Sequence, residues 1–167
     1  MRSLPTIAAA VLLIGLAQPR AATAGLIGRI DTFEDGTTQG WEINLLGIGA
    51  PPTAALPTNV PTGGPAGADD NFLRLAAFGG TGAGSRLSVV NFMNQWAGDY
   101  LAEGVTAFRM DLINLGTTDL SLRLMFANPT VGPPTDLAFS TEAVVLPAGG
   151  GWTPVMFPVR PADLTAG

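Results

Sequence analysis

Hydrophobic side chains recur at every second position in short runs along this chain, and glycine, proline, asparagine and aspartate separate the runs. Thr106, Phe108, Met110 and Leu112 alternate with Ala107, Arg109 and Asp111, and Leu120, Leu122, Leu124 and Phe126 alternate with Ser121, Arg123 and Met125. Successive side chains of a strand point to opposite faces, so this spacing predicts two strands whose apolar faces share one core. Residues 26–33, 41–48, 72–78, 86–92, 137–145 and 152–159 read as six further strands, bounded by turn formers such as Asp35-Gly36, Gly79-Gly80 and Ala148-Gly149-Gly150-Gly151. No helical period of comparable length competes with them. Eight candidate strands in a chain with 22 Gly and 14 Pro predict an all-β fold, an antiparallel β-sandwich of the jelly-roll type.

Two segments break the rhythm. Residues 50–70 are dominated by Pro, Gly, Ala and Thr, too little apolar surface to order themselves, and read as a long surface loop. Residues 93–100 place Asn94, Gln95, Trp96, Asp99 and Tyr100 in a loop or single helical turn between two strands. Trp96 and Tyr100 are the candidate ligand contacts there, since aromatic rings stack on sugars and neighbouring amides bond to hydroxyls. A Trp in such a turn also serves to plug the end of a sandwich core, and both roles stay open.

The first 24 residues carry a separate message. Arg2 provides a positive start, residues 7–16 are apolar and uncharged, and Ala22-Thr23-Ala24 has the small-x-small form that signal peptidase reads. So short an apolar run does not span a hydrocarbon layer of roughly 30 Å, and the segment reads as a signal peptide cleaved after Ala24. The expected mature chain, residues 25–167, is then a single exported domain, secreted or in the cell envelope, with no membrane span of its own. Arg2 and Arg20 leave with the leader while all 13 acids stay, so the net charge moves from −5 to −7. An acidic chain without a basic run is a poor partner for nucleic acid or anionic membrane, which need clustered cations.

The missing residue types narrow the chemistry. Cysteine is absent, so stability in an oxidising compartment has to come from packing or a bound ion. Histidine and lysine are absent as well. Their absence removes the commonest general base, the Ser-His and Cys-His nucleophiles, the Schiff-base lysine and nearly all zinc sites. Carboxylates are what remains for acid–base work, and no spacing singles out the pair that a glycosidase would need.

Asp31-Thr32-Phe33-Glu34-Asp35-Gly36, followed by Gly40-Trp41, resembles the opening of galactose-binding-like jelly rolls, which include many carbohydrate-binding modules. That resemblance covers about a dozen residues and implies a structural calcium held partly by the Glu, here Glu34, with oxygens from the first loops. Asp69-Asp70-Asn71 at the end of the 50–70 loop offers Asp70 as a further oxygen ligand, or else a solvated cap before the next strand. The leader, the acidic Ala/Gly/Pro-rich body, Gly84-Ser85-Arg86-Leu87 and Leu146-Pro147-Ala148-Gly149-Gly150-Gly151-Trp152 are together similar to exported bacterial proteins of the PEP-CTERM type. Such proteins are sorted to the envelope or the extracellular matrix. Residues 163–167 read as a turn after a strand, so a final strand and a sorting tail are expected beyond Gly167.

Two smaller constellations have plain explanations. Arg109, Asp111 and Arg123 lie on one side of two strands expected to be neighbours, where cross-strand pairing accounts for them, or else they form a polar binding face on the sheet. Gly79 to Gly84 joins strands and has no Lys, so it is a hairpin loop rather than a phosphate cradle. Three functions follow: a non-catalytic extracellular sandwich that binds glycan or matrix material, a structural or adhesive envelope protein without a small ligand, and a carboxylate-dependent glycoside hydrolase.

Overall fold

A computed structural model describes residues 25–43, 54–77, 89–127 and 136–166. Eleven strands lie among them: β1 Trp41–Ile43, β2 Ala54–Val60, β3 Phe72–Ala77, β4 Val89–Asn91, β5 Ala107–Leu112, β6 Leu120–Leu122, β7 Met125–Ala127, β8 Leu137–Ser140, β9 Val144–Leu146, β10 Thr153–Pro158 and β11 Leu164–Ala166. Every strand pair is antiparallel, and the only helical turns described are two three-residue 3-10 turns. The fold is all-β, as the alternation predicts, with sheets consistent with a β-sandwich and no closed barrel among the described residues.

The pairings nest within two long ribbons. In the first, Trp41 faces Asn91 and, further along, Ala54 faces Ala77 and Val60 faces Phe72. In the second, β5 pairs with β10, β6 with β9, and β7 with β8, so the chain from Ala107 to Ala127 is answered in reverse by the chain from Leu137 to Pro158. β11 adds to the free side of β8. Trp152 ties one ribbon to the other: its indole N–H donates to the Gly63 carbonyl at 3.0 Å, and its ring meets Phe72 edge-on with centroids 5.3 Å apart.

The core sits under the second ribbon. Val155, Phe157 and Val159 are buried, while Pro154, Met156 and Pro158 face out. The same alternation on β5 leaves Phe108, Met110 and Leu112 half-buried and puts Arg109 and Asp111 outside, where they form an exposed ion pair of 3.1 Å worth only a few tenths of a kcal/mol. Phe108 and Phe126 approach within 5.7 Å, so the apolar faces of β5 and β7 do share a core.

The second ribbon bends where its ladder is interrupted. Between β5 and β6, the buried Asn114 donates to the Thr118 and Leu146 carbonyls at 2.9 and 3.0 Å and accepts from the Gly116 N–H. Between β6 and β7, one residue, Arg123, stands opposite three, Thr141 to Ala143. Its guanidinium donates to the Ser140 and Thr141 carbonyls that this bulge leaves over.

Several expectations are corrected here. The alternation at 120–126 spans two strands with different partners, β6 and β7, and 137–145 likewise divides into β8 and β9, because the Arg123 bulge breaks both. Arg109 and Arg123 are therefore not on neighbouring strands, since β5 pairs with β10. Residues 26–33 form no strand: a turn closes from the Arg29 N–H to the Leu26 carbonyl around Gly28 at φ 79°, and Ile27 and Ile30 stay 69% and 74% exposed. Part of the 50–70 loop is β2. Leu56 and Pro57 bulge opposite Leu75, and a bulge is where a proline costs no ladder bond. Residues 164–166 are the strand β11 rather than a turn. The expected strand stretches 44–48 and 86–88, together with the Gly79 to Gly84 loop, lie outside the described residues.

Candidate functional site

A tight turn at residues 33–40 forms one end of the first ribbon. Phe33 and Gln39 hold left-handed backbone at φ 62° and 49°, an uncommon conformation for side chains of that size, and Gly36 and Gly40 share it. Side-chain bonds keep the turn closed. Gln39 Oε1 accepts from the Phe33 N–H at 3.1 Å, and Asp35 accepts from the Thr37 N–H and hydroxyl, each at 2.9 Å. The Thr37 N–H, then its hydroxyl, hold the Asp35 carboxyl below the ordinary aspartate value. Gly40 has to be glycine twice over, because of its φ of 84° and because a Cβ there would run into the Met93 side chain.

Beside this turn, Asp31 receives three side-chain N–H groups. Its Oδ2 accepts from the indoles of Trp41 at 2.8 Å and Trp96 at 2.9 Å, and its Oδ1 accepts from the Gln95 amide at 3.1 Å. Gln95 also donates to the Gln39 carbonyl at 3.0 Å, which joins the 3-10 turn Asn94–Trp96 to the 33–40 turn. An indole N–H can only donate, so a half-buried Trp needs an acceptor, and one carboxylate serves two of them. An open cleft of about 410 Å³ lies alongside. Asp31, Asp35, Thr37, Gln39 and Gln95 line it together with Arg29, and Ile30 and Met93 supply its apolar wall.

The residues singled out from the sequence fall into two places. Trp96 and Tyr100 enter the aromatic cluster: Trp96 lies 5.8 Å from Phe108, and Tyr100 lies 5.4 and 5.3 Å from Phe108 and Phe126. The Tyr100 hydroxyl donates to the Trp96 carbonyl, and burial, with the nearby Glu103 charge, pushes its pKa up from 10.0. Both rings close the end of the core, and neither lines the cleft. Glu34 lies on the other flank of the turn, accepting from the Asn71 N–H at 2.9 Å. Asp70, next in the chain, does not join it: its carboxylate accepts from the Ala66 N–H at 2.7 Å and packs against Gly64 within its own loop.

Asp31, Gln95 and Trp41 as a unit were not apparent from the sequence. The usable signal is that an indole N–H can only donate, so each tryptophan needs an acceptor when buried, and an Asp ten residues before Trp41 is a natural one. No family model, no curated protein and no solved structure matches this chain.

Proposed function

We propose that this protein is a non-catalytic, exported β-sandwich that binds a neutral glycan in the cleft beside Asp31. The observation that carries the reading is the Asp31 carboxylate, fixed by two indoles and an amide at the wall of an open polar cleft. Sugar hydroxyls both donate and accept, and a rigid set of carboxylate, amide and hydroxyl groups recognises them without having to be ordered on binding. Ile30 and Met93 offer apolar surface for the C–H face of a pyranose. Two donors hold Asp35 as a carboxylate, which suits hydrogen-bond acceptance and not the proton donation a glycosidase acid performs.

The test is a glycan array probed with the chain from Gly25 to Gly167, followed by calorimetry on any hit. Gln95→Ala and Thr37→Ala should each weaken binding about tenfold, the loss of roughly one hydrogen bond to a polar partner. Arg109→Ala, on the outer face of β5, should leave it unchanged. Failure to bind any glycan would favour the adhesive protein without a small ligand, and binding indifferent to the cleft changes would move the site away from Asp31.

The Glu34 resemblance adds a structural calcium to the proposal. Beside Glu34, the Phe33 and Thr37 carbonyls accept from the side-chain N–H groups of Asn59 and Asn71, so a hard cation would use these oxygens only by displacing or turning those amides. The Phe33 carbonyl alone accepts from Gly36, Asn59 and Asn71. Among the described residues no three carboxylates, His or Cys gather, so carbonyl and amide oxygens would complete the Glu34 set, and Asp70 would stand apart. The chain should melt at a higher temperature in calcium than in chelator, reflecting a stabilisation of about 2.7 kcal/mol at a hundredfold excess over Kd, and Glu34→Gln should abolish the difference. Equal melting points in the unmodified chain remove calcium from the proposal.

A further inference from the structure

We propose that removing the leader creates an ion pair: the new α-ammonium of Gly25 docks on the Glu103 carboxylate and anchors the segment that delivers Asp31 to the cleft. The inference rests on cleavage after Ala24, and the two can fail separately.

Glu103 is positioned to receive a charge. The Leu26 N–H donates to its Oε2 at 2.6 Å, and a Cβ on Gly25 would lie 3.6 Å from that same oxygen. The Gly25 nitrogen leaves the same Cα, one bond away, so it shares that neighbourhood. Leu26 is only 6% exposed and rests over Gly98, where a Cβ would come within 2.8 Å of Leu26 Cδ1 and 3.2 Å of Glu103 Oε1. Glycine at position 98 is what allows both groups to settle. The receiver is built in advance by the turn that follows: Glu103 N–H donates to the Asp99 carbonyl at 3.0 Å, Ala102 N–H to the Asp99 carboxylate at 3.0 Å, and Gly104 closes the turn at φ 75°.

Before cleavage the Gly25 nitrogen is a neutral amide; afterwards it carries a full positive charge beside a half-buried carboxylate. A charged donor bonds a carboxylate about twice as strongly as an amide does. Six residues on, Asp31 accepts the Trp41 and Trp96 indoles, so residues 25–31 are tied at both ends, and Arg29 and Ile30 of the cleft wall lie between the ties. Export would in this way complete the cleft.

The chain has no lysine, so after cleavage its α-amine is the sole primary amine, and an amine-reactive reagent reads it alone. Two forms are compared, beginning at Gly25 and at Ala24 and both running to Gly167. The native Gly25 form should label about tenfold more slowly than the same chain in denaturant, which corresponds to about 1.4 kcal/mol, and more slowly than the Ala24 form. Its melting temperature should exceed that of the N-acetylated Gly25 form by about 3 °C. Glu103→Gln should remove both differences. Equal labelling of native and unfolded Gly25 chains overturns the proposal, and that comparison stands even if Glu103→Gln fails to fold. Exported protein whose intact mass starts at another residue overturns it from the other side, because the ammonium is never made there.

Discussion

Tyr100 is the one tyrosine of the chain, and its surroundings decide its role. Its ring lies against Phe108 and Phe126, its hydroxyl donates to a carbonyl, and burial then raises the cost of ionising it. The phenol pKa is raised in the fold above 10.0, so the stability this contributes is complete below pH 10.0 and is lost as pH rises through the higher folded value. An ultraviolet titration, which sees only this residue, should give a midpoint above 10.0 in the native chain and one near 10.0 in denaturant, with melting temperature falling in the same alkaline window. Coincident native and denatured midpoints would mean the ring is not packed where the aromatic cluster puts it. Asp31 illustrates the same dependence on surroundings. In the sequence it is one acid of Asp31-Thr32-Phe33-Glu34-Asp35-Gly36, and its importance comes from two indoles brought to it from Trp41 and Trp96.

At the scale of elements, β10 shows how a strand protects its outer edge. The Val159 N–H donates to the Thr106 carbonyl at 3.0 Å, and pairing on the same parity puts the Val155 and Phe157 N–H groups toward β5. Pro154 and Pro158 hold the positions whose N–H would point away from β5, so they remove outward donors without breaking the ladder. Replacing both by Thr should restore that edge and let copies associate. Size-exclusion profiles should shift to larger species as concentration rises, relative to the unmodified chain. An unchanged profile would mean that the edge is covered by some other part of the chain. The strand at residues 152–159 was legible in the sequence, because period two is a local pattern. The division of 120–126 and 137–145 was not, since a bulge depends on what stands opposite, and Arg123 opposite Thr141 to Ala143 is a property of the pair.

For the whole molecule, the two ribbons depend on a few contacts between them, and Trp152 supplies one from each kind of force: a hydrogen bond to Gly63 and an edge-on ring contact with Phe72. Trp152→Ala should cost about 2 kcal/mol, below the full range for a buried aromatic because the ring is only half-buried. It should also loosen cooperativity, so that fluorescence and far-ultraviolet dichroism no longer give coincident unfolding curves. A change under about 0.5 kcal/mol with coincident curves would show that the ribbons are held together elsewhere.

The local alternation of apolar and polar side chains determined that this is an all-β chain, which face of β5 is buried and that residues 152–159 form a strand, and Asp35-Gly36 marked a turn, because each of these is decided within a few residues by side-chain direction or backbone freedom. It did not determine the fate of residues 26–33, whose apolar residues read as a strand but find no partner strand among the described residues, so that only Leu26 is buried. Nor did it reveal that residues 54–60, poor in large apolar groups and carrying Pro57, pair with β3. A strand exists only where another chain segment satisfies its hydrogen bonds, and that neighbour is chosen by the tertiary fold. The candidate site divides in the same way. Glu34 and Trp96 were visible as chemistry, whereas the meeting of Asp31 with Trp41, Gln95 and Trp96, and of Leu26 with Glu103, joins residues as many as 77 positions apart, a distance that no local pattern encodes.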